Sequence, residues 1–144
     1  MSMAIKNWMS VLLILVVSCT PEQDEAIPFL PFSDIVINTS LPEYYNLQFT
    51  GGYKSINGGV KGIIVYHSTG TNYNAFERNC SFQPNDACST VEVENTGLRM
   101  HDPCCGSIFN FEGFPVSGPA RNPLREYRVT VTGTVLTITD EVIN

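Results

Sequence analysis

Apolar positions along the chain come in short runs broken by turn chemistry. Asp34 to Asn38 reads as a first short strand. Gly52 to Ile56 and Val60 to His67 flank Asn57-Gly58-Gly59, where Asn and Gly accept the positive φ that tight hairpins require, so a hairpin is expected there. Further on, Tyr127, Val129 and Val131 alternate with polar residues, Gly133 offers a turn, and Leu136 and Ile138 resume the alternation. That two-residue period is the signature of a strand buried on one face, and this pair is expected to close the domain. No stretch keeps a helical period over more than about ten residues. Val, Ile, Thr, Tyr and Phe dominate the runs and only 15% of residues are charged, which agrees with an all-β fold. A chain of 144 residues suits one domain with a modest core.

One run differs from the rest. Lys6 lies in a short polar start, an apolar stretch follows from Val11 to Val17, and small Ser18 stands just before Cys19, the three-part layout of a secretory signal. The run is too short for a hydrocarbon core, which needs about 20 residues. Leu15-Val16-Val17-Ser18-Cys19 resembles the bacterial lipobox, which implies cleavage before Cys19, lipid on that cysteine and an address in the cell envelope, with the outer membrane and its surface as the expected place. More than one acyl chain on one cysteine suffices for stable anchoring. Thr20 to Pro28, with Glu22, Asp24 and Glu25 between prolines, has little to bury and reads as a tether. The expected organisation is a signal peptide over 1–18, a lipidated N-terminus and acidic tether over 19–31, and a β domain over 32–144.

Charge narrows the partners. Of 8 basic residues Lys6 lies in the leader, and 14 acidic side chains oppose the others, so nucleic acid is not an expected partner. Arg121, Arg125 and Arg128, with Glu126 among them, read as a solvated strand edge.

Cys80, Cys88, Cys104 and Cys105 remain beyond the leader. An even count in an exported domain suggests two disulfides, and four cysteines allow three connectivities. Neighbouring extended residues point in opposite directions, so Cys104 and Cys105 are not expected to bond each other, and each should reach back to Cys80 or Cys88. A loop of about 15 to 25 residues closed this way contributes roughly 3 kcal/mol. Four thiolates holding a tetrahedral zinc is the alternative that export into an oxidising compartment disfavours.

Asp102-Pro103-Cys104-Cys105-Gly106-Ser107, then Gly113, Gly118-Pro119-Ala120, Pro123-Leu124 and Tyr127, resembles the second cluster-binding box and proline loop of Rieske [2Fe-2S] proteins. Ala75-Phe76-Glu77-Arg78-Asn79-Cys80 looks like the strand entering the first box. The resemblance implies a Rieske-like antiparallel β-sandwich with a small disulfide-bearing cluster-site subdomain. Its ligand set does not carry over. Cys80 matches the first thiolate, but the first imidazole falls at Phe82, the second thiolate at Asp102 and the second imidazole at Cys105. The resemblance further implies that Cys88, displaced by the insertion Gln83 to Ala87, pairs with Cys104. Cys80 and Cys105 would then face each other across the vacated cluster site, where a second disulfide could form. Ser107, which hydrogen-bonds a cluster sulfur in the family, becomes a turn residue.

Three functions follow. The favoured one is a cluster-free structural or binding module of the envelope with no cofactor, its partner an envelope protein or a glycan. The second keeps a [2Fe-2S] cluster or another metal for electron transfer, on Cys80, Asp102, Cys105 and His101. The third is a thiol–disulfide redox protein cycling Cys80 and Cys105, which would need a nearby cation to lower a thiol pKa. Lone histidines such as His67 and His101 are more often structural than ligands. The sequence has no Gly-x-Ser-x-Gly elbow and no His-Glu-x-x-His motif, and no enzymatic activity is expected.

Overall fold

The computed structural model describes residues 26–144, so the signal peptide and Cys19 lie outside the described residues. Among the described residues, ten strands form two antiparallel sheets. The larger has the order β1-β10-β9-β4-β3-β2, built from β1 (Ile35–Asn38), β2 (Tyr53–Ile56), β3 (Ile63–His67), β4 (Tyr73–Glu77), β9 (Glu126–Thr132) and β10 (Val135–Val142). The smaller has the order β5-β6-β7-β8, from β5 (Glu92–Val93), β6 (Met100–His101), β7 (Ile108–Phe109) and β8 (Pro115–Ser117).

The predicted hairpins form in the expected places. β2 pairs with β3 across the Asn57-Gly58-Gly59 loop, with Ile56 opposite Ile63, and β9 pairs with β10 around Gly133, with Thr132 opposite Val135. β1 adds to the edge of β10. The structure also has a 3-10 helix over Pro42–Gln48 that no periodicity announces, because seven residues make too few turns to register. Its Leu47 is fully buried.

Alternation along β3 and β4 divides the interior. Ile63, Val65 and Ala75 face one core together with Ile37, Leu47, Tyr127, Leu136 and Ile138. Ile64 and Phe76, directly opposite each other in the ladder, face a second core with Cys80, Val91, Met100, Phe109, Ala120 and Leu124. Since successive side chains point to opposite faces, β3 is buried on both, which explains its unbroken apolar Ile63-Ile64-Val65. The second core ties the small sheet to the large one and supports the loops that carry the cysteines.

Residues 26–31, assigned by sequence to the tether, are in part held against the domain. Arg125 donates to the carbonyls of Ile27 and Pro28, and its guanidinium lies 5.5 Å from the centre of the Phe29 ring. Phe32 follows with an edge-on contact to Tyr127 at 5.0 Å. A guanidinium that satisfies two carbonyls and stacks on an aromatic ring removes the reason for this stretch to stay detached. Arg125 is therefore a clasp rather than a solvated edge residue, whereas Arg128 keeps the expected role, paired with exposed Glu141 at 2.5 Å.

Candidate functional site

Three loops converge beside the second core. Residues 78–91 lead from β4 to β5, residues 102–107 join β6 to β7, and residues 118–125 lead from β8 to β9. Cys88 and Cys104 join the first two as a disulfide with a Cα separation of 5.6 Å. The inserted stretch forms two successive turns, Asp86 N donating to Gln83 O and Ser89 N to Asp86 O. Gln83 takes φ 46° there, a left-handed conformation that costs a non-glycine residue roughly 1 to 2 kcal/mol. Lys61 holds the same stretch from outside through the carbonyls of Asp86 and Ser89, at 2.6 and 2.7 Å. The third loop docks through Ser81 Oγ donating to Asn122 O at 2.6 Å and Ala120 N donating to Ser107 Oγ at 3.0 Å. Gly118 is needed for that approach, since a Cβ at this position would stand 2.5 Å from Ser107 Cα.

Cys80, Asp102 and Cys105 meet where the loops cross, with Sγ, carboxylate oxygen and Sγ all within 4.8 Å of one another. Cys80 and Asp102 are fully buried and Cys105 is half-buried. Asp102 is fixed by a tight turn in which its N–H donates to Ser107 O and its carbonyl accepts from Gly106 N, while its Oδ1 accepts from Cys104 N at 2.8 Å. Its Oδ2 has only a long contact, 3.5 Å, with Ser89 Oγ, a hydroxyl that donates at 3.1 Å to Phe82 O. Phe82 N donates to the Cys80 sulfur at 3.5 Å. Burial pushes the Cys80 thiol pKa far above its ordinary value, and the neighbouring Asp102 and Cys105 push it further in the same direction. Cys80 is thus not an activated nucleophile.

The sequence placed Cys80 and Cys105 face to face, and the structure brings them together, but the expected second disulfide is not formed. The sulfurs are 3.9 Å apart, a non-bonded contact well beyond a disulfide's length of about 2.05 Å. Each has another partner: Cys105 donates its thiol proton to Ser107 Oγ at 3.1 Å, and Cys80 accepts from Phe82 N. Phe82 packs against the same cluster with its side chain.

Neither histidine joins this group. His101 Nε2 stands 3.6 Å from Glu92 Oε1 across the β5–β6 pair, and His67 Nε2 lies 2.9 Å from Gly70 O with its ring stacked on Tyr73. A Rieske cluster has two thiolates on one iron and two imidazoles on the other. Two thiols and a carboxylate, with no imidazole among the donors that meet there, do not fit that group.

Sequence reasoning missed Glu77. It is fully buried at the end of β4, and its carboxylate accepts from Val60 N at 2.8 Å, Lys61 N at 3.0 Å, Asn79 N at 3.0 Å and Tyr127 Oη at 2.8 Å. The loop after the Asn-Gly-Gly turn wraps this carboxylate, and Gly59, at φ 57°, lies so close that any Cβ would collide with Glu77 Oε2. A turn motif whose N–H groups need an acceptor was the one available signal. Tyr127 has its phenol pKa raised, first by burial and then by Glu77.

No family model and no curated protein matches the sequence. Among solved structures, the chain is similar to a chain of the complex of reduced oxygenase and oxidized ferredoxin in carbazole 1,9a-dioxygenase. Identity is 20%, the TM-score is 0.50, and the likeness covers 83% of this chain and 99% of that one. At that identity the likeness speaks for the fold and not for the chemistry. Two antiparallel sheets, a disulfide-linked pair of loops beside the smaller one, and this structural neighbour together establish an all-β, Rieske-like fold.

Proposed function

We propose that the chain is a lipoprotein exported to the bacterial cell envelope and anchored through Cys19 in the outer membrane, where a Rieske-like domain without an iron–sulfur cluster serves as a structural or binding module. The observation that carries this reading is the donor set at the crossing of the loops. Phe82, which the motif resemblance sets at an imidazole position, is an apolar ring packed against the core that contains Cys80, while His67 and His101 are engaged elsewhere. With three of four ligand positions changed, the residues present favour the cluster-free reading over the electron-transfer one. The thiol–disulfide reading is weakened by the burial of Cys80 and by the pairing of His101 with an acidic residue.

The full chain purified from its host without added iron tests the proposal. The expected result is no iron, no acid-labile sulfide, no visible absorption, and an N-terminal peptide carrying acyl chains on Cys19. Two irons and two sulfides per chain would overturn the cluster-free reading, and an unmodified Cys19 within an uncleaved leader would overturn the anchor.

A further inference from the structure

We infer that Cys80, Asp102 and Cys105 form a binding site for a single thiophilic divalent cation such as zinc, a proposal that rests on the cluster-free reading of the same site. The geometry of the sulfurs is the first reason. Two thiolates on one tetrahedral ion, at a metal–sulfur length of about 2.3 Å, stand roughly 3.75 Å apart. The two sulfurs here are 3.9 Å apart, and a carboxylate oxygen completes a triangle with every side within 4.8 Å. Three donors from two loops already converge to the spacing such an ion requires, with no change of chain path.

The hydrogen bonds around the sulfurs are the second reason. Phe82 N donates to Cys80 Sγ at 3.5 Å and Ser107 N donates to Cys105 Sγ at 3.4 Å, so each sulfur receives an N–H from the residue two positions on. Donors aimed at sulfur stabilise the thiolate over the thiol. Ser107 Oγ accepts from Ala120 N, which leaves its own hydrogen free to turn toward Cys105 once that sulfur has lost its proton. The carboxylate is the third reason. Asp102 is fully buried, no ion pair among the described residues includes it, and its Oδ2 is met by the Ser89 hydroxyl at the long distance of 3.5 Å. A cation would supply what this oxygen lacks.

Binding balances simply. The two S–H bonds break, two metal–sulfur bonds and one metal–oxygen bond form, two protons pass to solvent, and no oxidant or reductant takes part. Three protein ligands leave a fourth position, on the side of half-buried Cys105, for a water or a donor atom from a partner. Cys88 and Cys104 take no part, because their sulfurs are already joined.

Cobalt(II) is the probe. The full chain, reduced at Cys80 and Cys105 and kept anaerobic, is titrated with Co2+ while thiol counts and iron and sulfide content are recorded. The expected result is one Co2+ per chain with sulfur-to-cobalt charge-transfer absorption, intense tetrahedral d–d bands and protection of both thiols from alkylation. C105S should lose about half the charge-transfer intensity, and D102N should keep the bands but weaken binding by roughly 10- to 100-fold. An intact Cys88–Cys104 bond and a cooperative unfolding transition show that the variants are folded. Absence of charge-transfer absorption in the reduced, iron-free protein would overturn this site and leave the cluster-free reading standing. Iron and sulfide in the protein as isolated would overturn both.

Discussion

Glu77 and Asp102 are both fully buried carboxylates, but their surroundings differ. Glu77 meets three backbone N–H groups and a phenol, all at 2.8 to 3.0 Å, spread over both of its oxygens. Asp102 meets one strong donor on Oδ1 and a distant hydroxyl on Oδ2. Burying a charge is tolerable when its lone pairs are filled, so Glu77 is a structural keystone between the β2–β3 loop and β9. Asp102 keeps acceptor capacity in reserve beside two sulfurs, and that unfilled capacity marks it as chemical.

The contrast is broken most directly at Glu77. Glu77→Ala should leave four donors, two of them buried, without their acceptor and destabilise the domain by about 3 to 5 kcal/mol in urea unfolding. A loss under about 1 kcal/mol would mean that the carboxylate does not organise the loop. The double change Cys88→Ser with Cys104→Ser should cost about 3 kcal/mol by the same measurement, since it removes a cross-link between residues 16 apart. Asp102→Ala should cost less than either, about 1 to 2 kcal/mol, because one strong hydrogen bond and one weak contact are lost. An Asp102 loss equal to that at Glu77 would erase the distinction between the two sites. Tyr127→Phe should cost about 1 kcal/mol, the smallest of the four.

Tyr127 also carries the pH signature. Its pKa is raised in the folded state, so the folded chain holds the proton more tightly than the unfolded one. The stabilisation is fully present below the phenol's ordinary value of 10.0 and is lost as pH rises from there toward the folded value. Cys80 adds a loss of the same sign from its ordinary value of 9.0 upward. Unfolding midpoints should therefore fall across the alkaline range, and Tyr127→Phe should flatten the upper part of that fall.

The larger sheet was legible because its strands are long enough to alternate: β9 and β10 show their inner faces at Tyr127, Leu136 and Ile138 without help. The small sheet was not, since strands of two or three residues such as Glu92–Val93 and Ile108–Phe109 cannot display a period. The Cys88–Cys104 bond came from a motif resemblance and not from spacing, which left two pairings open. The meeting of Cys80, Asp102 and Cys105 was legible for the same reason. What sequence could not supply was the distance between the sulfurs, which separates a cross-link from an open pair of thiols. Nor could it supply the path of a loop around Glu77, which depends on backbone N–H groups that every residue type shares.

The hold of Arg125 on Ile27 and Pro28 sets a limit on reach. With the anchor on Cys19 that we propose, the chain from the lipid to this clasp spans at most about 28 Å even if fully extended, whatever its arrangement. The clasp lies beside Ser81 and Asn122, where the loops of the cysteine site meet. The domain would then hang on a short leash with that end turned toward the bilayer, and releasing Arg125 would lengthen the leash and free the domain to turn.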